Sequence, residues 1–99
     1  MLHTVNKSPT ERNVLESCLK YLKKGCVVLL IEDGVYGALK GSTTTKIVGQ
    51  TLKNFPIYAL YPDIEARWMQ DRVIDGIKLV DYSGFVDLVA EHTTVQAWL

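Results

Sequence analysis

Six consecutive apolar residues, Cys26-Val27-Val28-Leu29-Leu30-Ile31, set the strongest limit on what this chain can fold into. The run is the longest of its kind here and is far too short to span a bilayer. No polar residue interrupts it, so it does not describe a strand with one wet face. A strand that is apolar on both faces belongs in a parallel sheet covered by helices on each side. Glu32-Asp33-Gly34 ends it with turn-forming residues.

Leu2 to Val5 is short and apolar at alternate positions, which predicts a first strand. Ser8-Pro9-Thr10-Glu11 predicts a helix start. Ser8 is placed to cap the Glu11 N–H, Pro9 suits the first helical position, and Glu11 completes a capping box. Val14, Leu15, Cys18, Leu19 and Leu22 then recur at helical spacing. Lys20, Lys23 and Lys24 lie on the far side of that helix, and Gly25 is its expected stop. A short helical piece is expected from Val35 to Lys40, ending at Gly41. Ser42 to Lys53 is ambiguous, since its Ser/Thr run suggests a loop whereas Ile47, Val48 and Leu52 suit an amphipathic helix. Ile57 to Tyr61 predicts the third strand. Pro62-Asp63 starts a short helix with Ile64 and Trp68 on one face. Ile77 to Asp81 predicts the fourth strand. Ser83 is expected to cap a last helix with Phe85, Val86, Leu88 and Val89 inward. Thr94 to Leu99 alternates and suits a fifth, edge strand. Strand and helix alternate throughout, so the expected fold is α/β. It is a single domain, residues 1–99, with a parallel sheet of four or five strands flanked by helices.

Composition narrows the function classes. Eleven basic residues balance eleven acidic ones, which argues against direct nucleic-acid contact or an anionic membrane as the main partner. No basic segment followed by an apolar stretch opens the chain, so no secretory signal is expected. Two cysteines without a framework of spacings suit a reducing cytoplasm.

In open parallel sheets, function gathers beyond the carboxyl ends of the strands. Glu32, Asp33, Asp63 and Asp81 fall there and together could hold a divalent cation. Each also has a plainer role in turn or helix-start chemistry, which is the reading adopted. Gly34, Gly37 and Gly41 match neither the dinucleotide fingerprint nor the P-loop, so no cofactor is expected. His3 and His92 stand apart from possible metal partners, so no metal site is expected. His3 reads as a strand residue and His92 as a helix-end group. Cys26 opens a buried strand and reads as a small hydrophobe. Cys18 has two readings, a thiol packed in the core and a sulfur acceptor. The second needs an accessible thiolate.

One resemblance bears on Cys18. Leu2-His3-Thr4-Val5-Asn6-Lys7-Ser8-Pro9, Glu16-Ser17-Cys18-Leu19-Lys20, Glu32-Asp33-Gly34, Pro62-Asp63 with Ala66-Arg67, Val80-Asp81-Tyr82 with Gly84 to Leu88, and Thr94 to Leu99 occur in order. Together they resemble the TusB/DsrH family, and its DsrH branch most. The resemblance implies a DsrE/DsrF/DsrH-like fold, which is a flavodoxin-like three-layer α/β/α domain. It implies a cytoplasmic sulfurtransferase complex of the DsrEFH or TusBCD type, a heterohexamer with DsrE- and DsrF-like subunits. Such a complex passes persulfide sulfur to a DsrC- or TusE-type carrier. Cys18, which the resemblance associates with DsrH-like chains, implies dissimilatory sulfur oxidation and makes Cys18 the candidate catalytic sulfur acceptor. The alternatives are a non-catalytic structural subunit and a TusB-like role in 2-thiolation of the tRNA wobble uridine. A DsrE or TusD subunit carries its main acceptor cysteine just after a central strand. The corresponding Tyr61-Pro62-Asp63 has none, so independent catalysis is not expected. Without partners, self-association is open.

Overall fold

The computed structural model describes residues 1–11 and 13–99. Its strands are β1 (Leu2–Val5), β2 (Val27–Leu30), β3 (Ile57–Leu60), β4 (Lys78–Val80) and β5 (Val95–Trp98). Its helices are α1 (Val14–Tyr21), α2 (Thr45–Thr51), α3 (Tyr61–Ala66) and α4 (Tyr82–Glu91). Short 3₁₀ helices at Glu32–Ala38 and Gln70–Arg72 complete the list of helical elements among the described residues. The five strands lie in the order β4-β3-β2-β1-β5, and every neighbouring pair is parallel.

That order decides which helices share a face. From β1 to β4 the chain steps one way across the sheet, then returns past β1 to lay down β5. Right-handed crossovers put the helices of the first three steps on one face and the helix of the return on the other. The core divides accordingly. Val5, Val28, Leu30, Ile57 and Ala59 point toward the face that holds Leu15, Cys18, Leu19, Val48 and Ile64. Leu2 and Leu29 point the other way and meet Leu88 of α4. The apolar run is therefore buried on both faces, as its composition requires. β1 is paired on both sides, so His3 and Thr4 are buried along with its apolar residues.

Several local expectations give way to the tertiary structure. The capping box does not form. The N–H of Glu11 donates to the Ser8 carbonyl, the Ser8 hydroxyl takes the Thr10 N–H instead, and α1 begins only at Val14. That helix also ends at Tyr21, short of Gly25, which instead takes a left-handed turn at φ 90°. Trp68 does not share a face with Ile64, because its own φ of 55° turns the chain out of α3 and leaves it 84 % exposed. The last helix is capped by Asp81, whose carboxylate accepts the Gly84 N–H at 2.8 Å, rather than by Ser83. Val86 and Val89 face outward, because only the Leu88 and Phe85 side of α4 meets the sheet.

Candidate functional site

At the carboxyl edge of the sheet, the four carboxylates do not converge. Asp63 Oδ2 accepts the backbone N–H of Glu32 at 2.6 Å. This contact helps hold Glu32 in a left-handed conformation, φ 51°, which a residue with a Cβ rarely adopts. Asp33 pairs with Arg67, whose Nη2 and Nε approach one carboxylate oxygen at 2.8 and 3.3 Å. That hydrogen bond raises the Arg67 pKa above its ordinary value, against a smaller opposing effect of burial. Arg67 also donates to the Asp63 carbonyl and lies 5.8 Å from the Tyr36 ring centre. Asp81 is used by the cap of α4. The turn reading of these residues therefore accounts for their positions. Beneath them, Gly34 lies so close to the end of β1 that a Cβ would stand 2.0 Å from the Val5 carbonyl oxygen. A shallow depression of about 370 Å³ opens beside this edge, lined by Ser8, Pro9, Thr10, Tyr36 and Ser42 among others.

Cys18 lies in the middle of α1 and is fully buried against the sheet. Burial pushes its thiol up to about 12, with the neighbouring Cys26 adding to the shift. At neutral pH its thiolate fraction is then on the order of one part in 10⁵, and the thiolate is the form that attacks sulfur. In the folded chain iodoacetamide is expected to modify Cys18 at least about a hundredfold more slowly than in urea, as read by peptide mass spectrometry. Equal rates in the two states would contradict this packing. Cys18→Ala should cost about 1 kcal/mol of stability.

Cys26 lies at the amino-terminal edge of the sheet, immediately before β2, and is 8 % exposed. The Lys23 backbone N–H points at its sulfur from 3.5 Å. His3, in the adjacent β1, accepts a hydrogen bond at Nδ1 from Trp98 Nε1 at 3.0 Å. Burial lowers the His3 pKa, with the positive Met1 amine acting in the same direction. His92 Nδ1 meets the Leu88 carbonyl at 2.7 Å, a helix-end contact as expected. The sequence does not reveal the His3–Trp98 and Asp33–Arg67 pairs. Their partners are 95 and 34 residues apart, and no local period links them.

An all-parallel five-stranded sheet with one lone helix on its second face defines a small three-layer α/β/α domain. The family model described as DsrH like protein matches residues 7–95, and the chain belongs to that family. Protein TusB of Pectobacterium carotovorum is 38 % identical over 99 residues, which cover 99 % of this chain and 100 % of that protein. Protein TusB of Escherichia coli is 36 % identical over 100 residues, with the same coverage. Among solved structures, the YchN protein from Escherichia coli superimposes with a TM-score of 0.80 over 97 % of each chain. At 15 % identity, that likeness speaks to the fold alone.

Proposed function

We propose that this chain is a TusB-like subunit of a cytoplasmic sulfur-relay complex that serves 2-thiolation of the tRNA wobble uridine. The observation that carries this reading is its identity of 36–38 % with TusB proteins over nearly the whole chain. The loop after β3 supports a dependent role within the complex. In the region where a DsrE- or TusD-type subunit has its acceptor cysteine, this chain has Tyr61-Pro62-Asp63, and the Asp63 carboxylate is engaged by the Glu32 backbone. Sulfur would therefore be taken up chiefly by DsrE- and DsrF-like partners and passed to a DsrC- or TusE-type carrier. Tyr82, Val86 and Val89 of α4, exposed and apolar, are the sort of surface that partner subunits cover. The balanced charge supports a protein partner over direct contact with tRNA.

Complementation tests the reading. Expressed in bacteria that lack their own TusB, the chain should restore 2-thiouridine in hydrolysed tRNA. No restoration, although the chain co-purifies with the host's partner subunits, would overturn it. The presence of Cys18 favours the second reading, a relay in dissimilatory sulfur oxidation with Cys18 as an acceptor. That reading requires Cys18→Ser to reduce persulfide loading of the assembled complex. Unchanged loading by mass spectrometry would remove it.

A further inference from the structure

The amino-terminal edge of the sheet, away from the strand ends where such folds place their chemistry, holds a depression of about 260 Å³. Met1, His3, Tyr21, Lys23, Lys24 and Cys26 line it. Its charged groups are all cations. Trp98 Nε1 can only donate, so His3 Nδ1 must accept, and the neutral ring therefore carries its proton on Nε2. His3 is completely buried and this Nε2–H has no hydrogen-bond partner, an arrangement rarely left unexplained in a folded protein. Lys23 and Lys24 are exposed, and neither has a carboxylate partner among the described residues. No carboxylate lines the depression. An unpartnered donor on a lining residue and two cations at the rim call for an anion. A thiol in the wall makes a reactive sulfur anion the best fit.

We propose that this depression binds a small polysulfide or persulfide anion, and that Cys26 takes the terminal sulfur of that anion. The anion site rests on the donor set alone, whereas the sulfur chemistry rests on the relay reading above. In the transfer, Cys26 gives its proton to the bound anion R–S–S⁻, and the Cys26 thiolate attacks the outer sulfur of the R–S–SH so formed. The S–S bond of the donor breaks as that of Cys26–S–SH forms, and the electron pair leaves on R–S⁻. The proton given up by Cys26 stays on the transferred sulfur, and one anion, R–S⁻, leaves in place of the anion that entered. One S–S bond replaces another, so no external oxidant or reductant is needed. The Lys23 N–H already aimed at Sγ is a contact that an anionic sulfur accepts more strongly than a thiol does.

The test treats the full chain with sodium tetrasulfide, removes the reagent, and locates added sulfur by intact mass and peptide mapping. A mass gain of sulfur atoms is expected on the Cys26 peptide in the wild type and in Cys18→Ala, and none in Cys26→Ser. The double variant Lys23→Gln/Lys24→Gln should slow loading by the tetrasulfide dianion about tenfold. It should leave modification of Cys26 by neutral iodoacetamide unchanged. Sulfur on Cys18 in place of Cys26, or equal slowing of both reagents by the lysine variant, would overturn the proposal. Restored tRNA thiolation without loading at Cys26 would sink this site and spare the relay reading. Loading at Cys26 without restored thiolation would do the reverse.

Discussion

Gly34→Ala is expected to lower the stability of the fold by about 3 kcal/mol or more, which is at or beyond the upper end for an overpacked site. With a denaturant slope of about 1–3 kcal/mol per molar, the urea midpoint should fall by at least about 1 M. The reason is geometric. A Cβ on Gly34 would stand 2.0 Å from the carbonyl oxygen of Val5 and 2.7 Å from its carbon. Both are backbone atoms, so no side-chain rotation relieves the clash. Nor can β1 retreat, since it is paired on both sides, with β2 and β5. The same Val5 carbonyl already accepts the Ile31 N–H at 3.0 Å. Gly49→Ala supplies the control. Nothing lies within 4 Å of its Cβ position, and it sits inside α2. There alanine should stabilise the fold by about 0.5–1 kcal/mol through helix propensity and reduced freedom of the unfolded chain. If the two variants had the same midpoint, the close approach at Gly34 would be wrong.

The second large effect is expected at the carboxyl end of the chain. Trp98→Ala should cost about 2–4 kcal/mol, somewhat below the range for a fully buried tryptophan because the ring is only half-buried. The indole packs against the core, lies 6.1 Å from the His3 ring centre and 5.8 Å from that of Tyr21, and donates to His3. Its loss would leave a buried histidine acceptor unpaired and remove the main anchor of the edge strand β5. This contact also carries a pH signature. The His3 pKa is lowered from 6.5, so below that pH the unfolded chain binds a proton that the native chain resists. The His3 contribution is complete above 6.5 and is lost as pH falls from there toward the depressed native value. His3→Asn keeps an acceptor for Trp98 at the Nδ1 position and removes the titrating ring. Urea midpoints between about pH 7.5 and about pH 5.5 should fall for the wild type and stay flatter for this variant. Equal slopes for the two proteins would contradict the assignment.

Position along the chain explains which parts of the architecture could be read in advance. The strands were legible because each is a short apolar segment bounded by turn residues, and the unbroken run at Cys26–Ile31 already required two covered faces. Helix limits were less legible. Ser8 to Glu11 has the composition of a capping box, yet Pro9 lies beside Gly37 of the 3₁₀ helix, and the segment forms a turn before α1 begins. Likewise α4 is amphipathic in two directions. Periodicity marks Val86 and Val89 as apolar, and only the single-helix coverage of the second face leaves them outward. One helix is about 10 Å wide, whereas four strand spacings of about 4.8 Å make the sheet about 19 Å across.

The candidate site shows the same division. By itself the sequence determined the alternating α/β order, the parallel sheet, the lack of a cysteine after β3 and the family resemblance. These follow from local apolar periods and from residues read in order. Only the tertiary structure decided which of the two cysteines sits beneath a helix and which lines a depression with unpaired donors. Cys18 and Cys26 are eight positions apart and both are nearly inaccessible, so spacing alone does not separate them. What separates them is the company each keeps. Cys18 is enclosed by apolar side chains that disfavour its charged form, whereas Cys26 shares the wall of a depression with His3 of β1 and with Lys23 and Lys24 of the turn that follows α1.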